Sequence, residues 1–134
     1  MLPITATNVR LFLHVIAATV WVGGQLTLAG LVPALRAIDP AAPKAVARQF
    51  NRIAWPAFAV LLATGVWNVV EVKVGDATTK YQVTLFAKLC AVALSGVAAF
   101  LHTQARTRAG LAVWGAVGGV ATIVALFLGV QLHS

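Results

Sequence analysis

The chain has 134 residues, of which 60% are hydrophobic and only 10% are charged. A soluble domain of this length has too little interior to hide so much apolar surface, so the composition excludes an ordinary soluble protein. The net charge is +7. The charged residues lie mainly between the apolar segments, where they orient a chain in a membrane and contact anionic lipid, so we expect no nucleic-acid partner.

Four apolar stretches follow one another along the chain, at residues 11–35, 54–72, 83–103 and 111–132. A hydrocarbon core of ~30 Å requires about 20 helical residues, and each stretch has roughly that length. Lipid offers no hydrogen bonds to the backbone, so each stretch must be helical. We predict a single domain over residues 1–134, an all-α membrane protein built as an antiparallel bundle of four transmembrane helices. The first stretch is too long for a signal peptide and is expected to be retained.

The linkers between these stretches predict the orientation. The second half of the first linker, residues 44–53, is amphipathic and either lies along the membrane surface or extends the second helix inward. The positive-inside rule places the more basic linkers in the cytoplasm, and therefore places both termini outside. The N-terminal tail and the second linker carry Arg10, Lys73 and Lys80. The first and third linkers carry most of the basic residues: Arg36, Lys44, Arg48, Arg52, Arg106 and Arg108.

Small residues predict where the helices pack. Gly115 and Gly119 form a GxxxG pair in the fourth helix, which favours packing within the bundle or contact in a homodimer. The single cysteine, Cys90, is predicted to be a small core residue facing another helix. The third helix carries a further stripe of small residues: Ala91, Ser95 and Ala99.

Ionisable residues inside a span are costly and therefore point to function. His14, Lys88 and Glu71 all fall in the predicted outer leaflet. Each has an alternative: Lys88 can extend its ammonium to the interface, Glu71 can be solvated, and His14 can be neutral and bonded to a carbonyl group. The tryptophans include boundary positions, where they fit an aromatic belt. His14, Trp21 and Gln25 share one stripe of the first helix, which is expected to point inward.

The other two histidines lie near the ends of spans. His133 belongs to the same outer layer as His14, so the two are candidate metal ligands. His102 lies near the inner end of the third helix, ~25 Å from His14 by helix rise, which is too far for both to ligate one haem.

Short motifs in this order resemble the copper-resistance protein D family. The first helix carries His14, then Trp21-Val22-Gly23-Gly24, then Pro33. The second carries Thr64-Gly65, and the third carries a Tyr-x-x-x-Leu-x-x-Lys-Leu pattern that begins at Tyr81. The chain is also similar to HemJ-type protoporphyrinogen oxidase in having a histidine early in the first helix and a Lys-Leu pair early in the third.

These resemblances imply alternative functions. The first implies a bacterial inner-membrane protein that handles or transports copper, with His14 and Lys88 as the family-like residues. Copper would bind His14, with His133 as a further ligand, because Met1 and Cys90 are the only sulfur sources. The second implies b-type haem as cofactor, with His14 and Lys88 binding it. A third alternative is an accessory subunit without a ligand. No enzyme motif is present. The expected partners are the bilayer, a second copy, or a membrane or periplasmic protein.

Overall fold

The structure, a computed structural model, describes all 134 residues and contains helices but no strand. Four helical segments are long and apolar enough to cross a membrane: Ala6–Ile38, Ala42–Val72, Thr79–Gln104 and Arg108–Gln131. These segments confirm the predicted all-α fold with four transmembrane helices.

The first span contains an irregular turn that hydropathy does not predict. Helix α1 (Ala6–Ala18) continues through a π-helical turn (Thr19–Gly23) into α2 (Gly24–Ile38). A π turn inserts an extra residue and rotates the side chains that follow it. The other spans are single helices: α3 (Ala42–Val72), α4 (Thr79–Gln104) and α5 (Arg108–Gln131).

Threonine caps explain why three spans begin before their apolar stretches. The Thr5 hydroxyl accepts a hydrogen bond from the backbone N–H of Asn8, and the Asn8 side chain accepts one from the backbone of Thr5. Thr78 and Thr107 likewise accept a hydrogen bond from the backbone N–H three residues later. These bonds satisfy N–H groups that a helix start otherwise leaves unpaired.

The amphipathic residues 44–53 extend the second span. Helix α3 begins at Ala42, just after a turn in which the Asp39 carboxylate accepts a hydrogen bond from the backbone of Ala41 at 2.8 Å. The helix continues without a break to Val72. The alternative of a separate helix on the membrane surface is therefore wrong.

The chain divides into two compact units, Met1–Lys73 and Val74–Ser134, which we call the first and second hairpins. In the first hairpin, His14 meets Thr64 while Gly24 meets Phe50. In the second, Lys88 lies near Gly129 while Ala98 lies near Gly118. In each hairpin, residues that come later in the first helix contact residues that come earlier in the second, so each hairpin is an antiparallel helix pair.

Aromatic packing fills the centre of the first hairpin. The Trp21 side chain is only 3% exposed, and its ring centroid lies 5.3 Å from that of Trp55 and 4.3 Å from that of Phe58. Trp21 is therefore a core residue, which confirms the inward face predicted for it. Gly24 lies against Phe50 so closely that a Cβ at this position would clash with the phenylalanine ring.

Small residues form the contact in the second hairpin, and the predicted stripe on the third helix is confirmed for Ala91 and Ser95, which are buried. A Cβ added to Gly115 would lie 3.3 Å from the His102 ring and one added to Gly118 would lie 3.4 Å from the Cβ of Ala98, whereas a Cβ on Gly119 would meet nothing within 4 Å. Packing of Gly119 against a helix of its own chain is therefore wrong, and its contact in a homodimer stays a prediction. Cys90 is exposed, so its predicted core position is also wrong. The buried residues of this hairpin include Ala91, Ser95, Ala98, Gly118, Ala121, Thr122 and Ala125.

Candidate functional site

His14 projects from α1 toward α3, where it meets a buried threonine. Its Nδ1 atom lies 2.8 Å from the Oγ1 atom of Thr64. The imidazole is half-buried and Thr64 is buried. His14 was expected to be either a ligand or a structural residue bonded to a carbonyl group. The structure places a side-chain hydroxyl on one of its ring nitrogens, and its role as a ligand stays a prediction.

The hydrogen bonds of Thr64 favour one tautomer of the imidazole. The hydroxyl of Thr64 lies 2.7 Å from the backbone carbonyl oxygen of Val60, which can only accept. When the single hydroxyl hydrogen is donated to Val60, the hydroxyl oxygen accepts from His14, and Nδ1 carries the imidazole proton. In that neutral tautomer the lone pair is on Nε2. Metal-binding histidines commonly donate their other ring N–H to an oxygen in this way, which fixes the ring and raises the basicity of the ligating nitrogen.

Gly65 provides the space beside the imidazole. A Cβ on this residue would lie 3.7 Å from the His14 Cε1 atom, which is an ordinary van der Waals distance. The backbone of α3 therefore passes close to the ring, and an alanine at this position would still fit. Thr64 and Gly65, which the sequence singled out only as a short motif, thus both border His14.

Arg10 is a member of this region that sequence reasoning missed. It lies four residues before His14 in the same helix, so the two side chains project from one face of α1. Its side chain is only 9% exposed, and its Nη1 atom lies 3.9 Å from the Glu71 Oε2 atom. Its Cζ atom lies 5.7 Å from the centroid of the Trp67 ring. A count of charges along the sequence assigns Arg10 to the N-terminal tail, because such a count takes no account of burial.

Glu71, the acidic member of the predicted layer, remains largely in contact with solvent. Its side chain is 55% exposed. One carboxylate oxygen accepts a hydrogen bond from the Trp67 indole at 3.3 Å. The sequence alternative of a solvated carboxylate fits this exposure, with the addition that Glu71 also lies near Arg10.

Lys88 lies within the second hairpin. Its Nζ atom would be 3.3 Å from a Cβ placed on Gly129, so the lysine side chain crosses α5 where that helix has no side chain. Lys88 is half-buried. The Lys88 side chain therefore reaches from α4 across to α5.

The remaining histidines have different surroundings. The His102 Nδ1 atom lies 2.9 Å from the carbonyl oxygen of Leu111, so this exposed ring connects the end of α4 to the start of α5. His133 follows the end of α5 and is exposed. No group of three or more His, Cys, Asp or Glu side chains comes together anywhere in the structure.

The predicted site residues therefore belong to separate hairpins. His14 and Glu71 are in the first, whereas Lys88 and His133 are in the second. Joint binding of one ligand by His14 with Lys88, or of one metal by His14 with His133, remains a prediction. Within its own hairpin, His14 contacts Thr64 by a hydrogen bond.

Comparison with known families gives one match. The family model for copper resistance protein D matches residues 44–132, which include all of α4 and α5, nearly all of α3, and Lys88. His14 precedes the matched segment. Neither a curated protein nor a solved structure matches the chain at a significant level. The family match covers well over half of the chain and agrees with four apolar helices, so this multi-pass membrane protein belongs to the copper resistance protein D family.

Proposed function

We propose that this protein handles copper within the membrane, with the Nε2 atom of His14 as a copper ligand. Family membership supports the choice of metal. The observation that carries the choice of residue is the 2.8 Å hydrogen bond between His14 Nδ1 and the Thr64 hydroxyl, because it orients the ring and leaves Nε2 as the nitrogen outside that bond. Imidazole nitrogen is a good ligand for copper, and the neutral ring brings no charge into the membrane.

The coordination is incomplete within the first hairpin, which favours transfer over storage. Soft sulfur ligands, which hold Cu(I) tightly, are scarce: the chain has one methionine and one cysteine, and Cys90 is exposed on α4. One imidazole alone holds copper weakly. His133, a second copy, or a membrane or periplasmic partner would supply the other ligands during transport or handover.

The proposed location is a bacterial inner membrane with both termini outside. The basic residues between the first and second apolar stretches and between the third and fourth support this orientation, because all of them are exposed: Arg36, Lys44, Arg48, Arg52, Arg106 and Arg108. Lys44, Arg48 and Arg52 lie in the N-terminal half of α3. Arg10, which counted for the opposite side, is buried in the first hairpin and so contributes less to that side.

Binding of b-type haem is the second candidate, supported by the same histidine. An axial histidine also needs an oriented ring with a lone pair on Nε2, and the Thr64 hydrogen bond supplies that orientation. A cationic Lys88 would attract a haem propionate, whereas it would repel a copper ion. The two candidates therefore differ in what they require of Lys88.

One preparation tests both candidates. Wild-type protein, His14→Ala and Lys88→Ala are purified in mild detergent from cells supplied with copper and haem, and each is examined by absorption spectroscopy and metal analysis. The copper proposal predicts no Soret band, bound copper in wild type, and its loss in His14→Ala but not in Lys88→Ala. The haem candidate predicts a Soret band that His14→Ala abolishes and Lys88→Ala weakens.

A matched control removes a different histidine. His102→Ala deletes an exposed imidazole that contacts the start of α5, and it should leave bound copper unchanged. Wild-type protein that carries neither copper nor haem would overturn both candidates and leave His14 as a structural residue of the first hairpin.

A further inference from the structure

The guanidinium of Arg10 is buried with too few acceptors around it. Arg10 is 8% exposed, and its Nε atom is buried without a hydrogen-bond partner. A guanidinium carries five N–H donors in a fixed plane, and buried polar groups are almost always hydrogen-bonded. The buried Nε donor of Arg10 therefore has no hydrogen-bond acceptor within the chain.

The two neighbours of the guanidinium leave this deficit in place. The Glu71 Oε2 atom is 3.9 Å from Nη1, which is beyond hydrogen-bonding distance. The other Glu71 oxygen accepts from the Trp67 indole. The Trp67 ring, 5.7 Å from Cζ, attracts the positive charge but accepts no conventional hydrogen bond. The edge of the guanidinium that includes Nε therefore has no acceptor.

The position of Arg10 along the span indicates what the missing acceptor is. Arg10 lies in the second turn of a span that begins at Ala6, and Glu71 lies in the last turn of α3. This end of the first hairpin is therefore close to the boundary between hydrocarbon and water, where lipid phosphates lie. Trp67 fits this location, because tryptophan is enriched at the headgroup level.

We propose that Arg10 binds the phosphate of an anionic phospholipid headgroup, with the Trp67 ring beside it. The planar fork of arginine matches two phosphate oxygens, and the Nε edge is the side that needs them. Both side chains next to the guanidinium are themselves exposed, Trp67 at 39% and Glu71 at 55%, so their rotation admits the headgroup. This site is independent of any copper bound at His14.

Thermal unfolding in detergent tests this site with three additives: phosphatidylglycerol, phosphatidylcholine and inorganic phosphate. Phosphatidylglycerol should raise the unfolding temperature of the wild type more than phosphatidylcholine does, since a specific ligand stabilises the state that binds it. Arg10→Gln should lose this difference. Arg10→Lys keeps the charge without the fork and should keep only part of it. Native mass spectrometry should show a retained phosphatidylglycerol on the wild type and not on Arg10→Gln.

Two controls separate this site from general charge and from the copper site. Arg36→Gln removes an exposed arginine at the end of α2 and should respond to phosphatidylglycerol as the wild type does. His14→Ala should also keep the response while losing copper. The proposal is overturned if Arg10→Gln and Arg10→Lys both respond like the wild type, or if inorganic phosphate alone produces the full shift, because the phosphate would then not come from a lipid.

Discussion

A single hydroxyl orients the ring of His14. The Thr64 hydroxyl lies 2.8 Å from His14 Nδ1 and 2.7 Å from the Val60 carbonyl oxygen, so Nδ1 is engaged and Nε2 is the nitrogen proposed to bind a metal. The sequence identified His14, because an ionisable residue inside an apolar stretch stands out. It did not identify Thr64 as the partner, because the register between two helices depends on packing that hydropathy does not encode.

Removing the Thr64 hydroxyl should therefore weaken copper binding without touching the ligand itself. Thr64→Val leaves the Nδ1 proton without an acceptor, and we expect copper affinity to fall by roughly 10- to 100-fold, as for other partners of metal-binding histidines. The measurement is a copper titration against a competing chelator. Thr64→Ser keeps the hydroxyl and should bind nearly as the wild type does.

Gly65→Ala is the packing control for this experiment. Its new Cβ would lie 3.7 Å from the His14 ring, an ordinary contact, so copper binding should be preserved. Equal affinity in Thr64→Val and wild type would show that the hydrogen bond has no part in binding.

At the scale of helices, spacing patterns in the sequence were less informative than composition. The GxxxG pair of Gly115 and Gly119 matches a known packing motif, but such a motif does not specify which neighbouring face meets the partner helix. In the structure Gly118 is the glycine against Ala98. The π turn at Thr19–Gly23 was also not predicted, since one inserted residue leaves the overall hydropathy of the span unchanged.

The contact at Gly118 makes a sharp stability prediction. Gly118→Ile adds a branched side chain where only 3.4 Å separates a Cβ from Ala98, so the helices must move apart. We expect the free energy of unfolding in detergent to fall by about 1–3 kcal/mol. Gly119→Ile carries the same intrinsic helix penalty but points into open space, so it should be markedly less destabilising. Equal losses in the two variants would contradict the assigned face.

At the scale of the whole molecule, the four spans could be predicted from the sequence because length and apolarity alone determine what crosses a membrane. The helix ends could not, because Thr5, Thr78 and Thr107 extend the helices beyond the apolar stretches by capping. The role of Arg10 was missed for a related reason, because a sequence pattern assigns a charged residue near a helix end to the tail and does not show that the residue is buried.

The proposed orientation predicts where each loop lies. A reporter active only in the cytoplasm should be silent when fused after Ser134 and active when inserted between α4 and α5, near Arg106. The positive-inside rule is the reason, since most of the exposed basic residues lie between the first and second apolar stretches or between the third and fourth. Strong activity at Ser134 with silence at the α4–α5 loop would show the reverse orientation.

The most direct measurement of the central claim is an X-ray absorption spectrum at the copper edge, recorded on copper-loaded protein in detergent. Binding through His14 Nε2 predicts the multiple-scattering pattern of an imidazole ligand in the wild type and its weakening or loss in His14→Ala. A spectrum without imidazole scattering, or one unchanged by His14→Ala, would contradict the claim that His14 holds the copper.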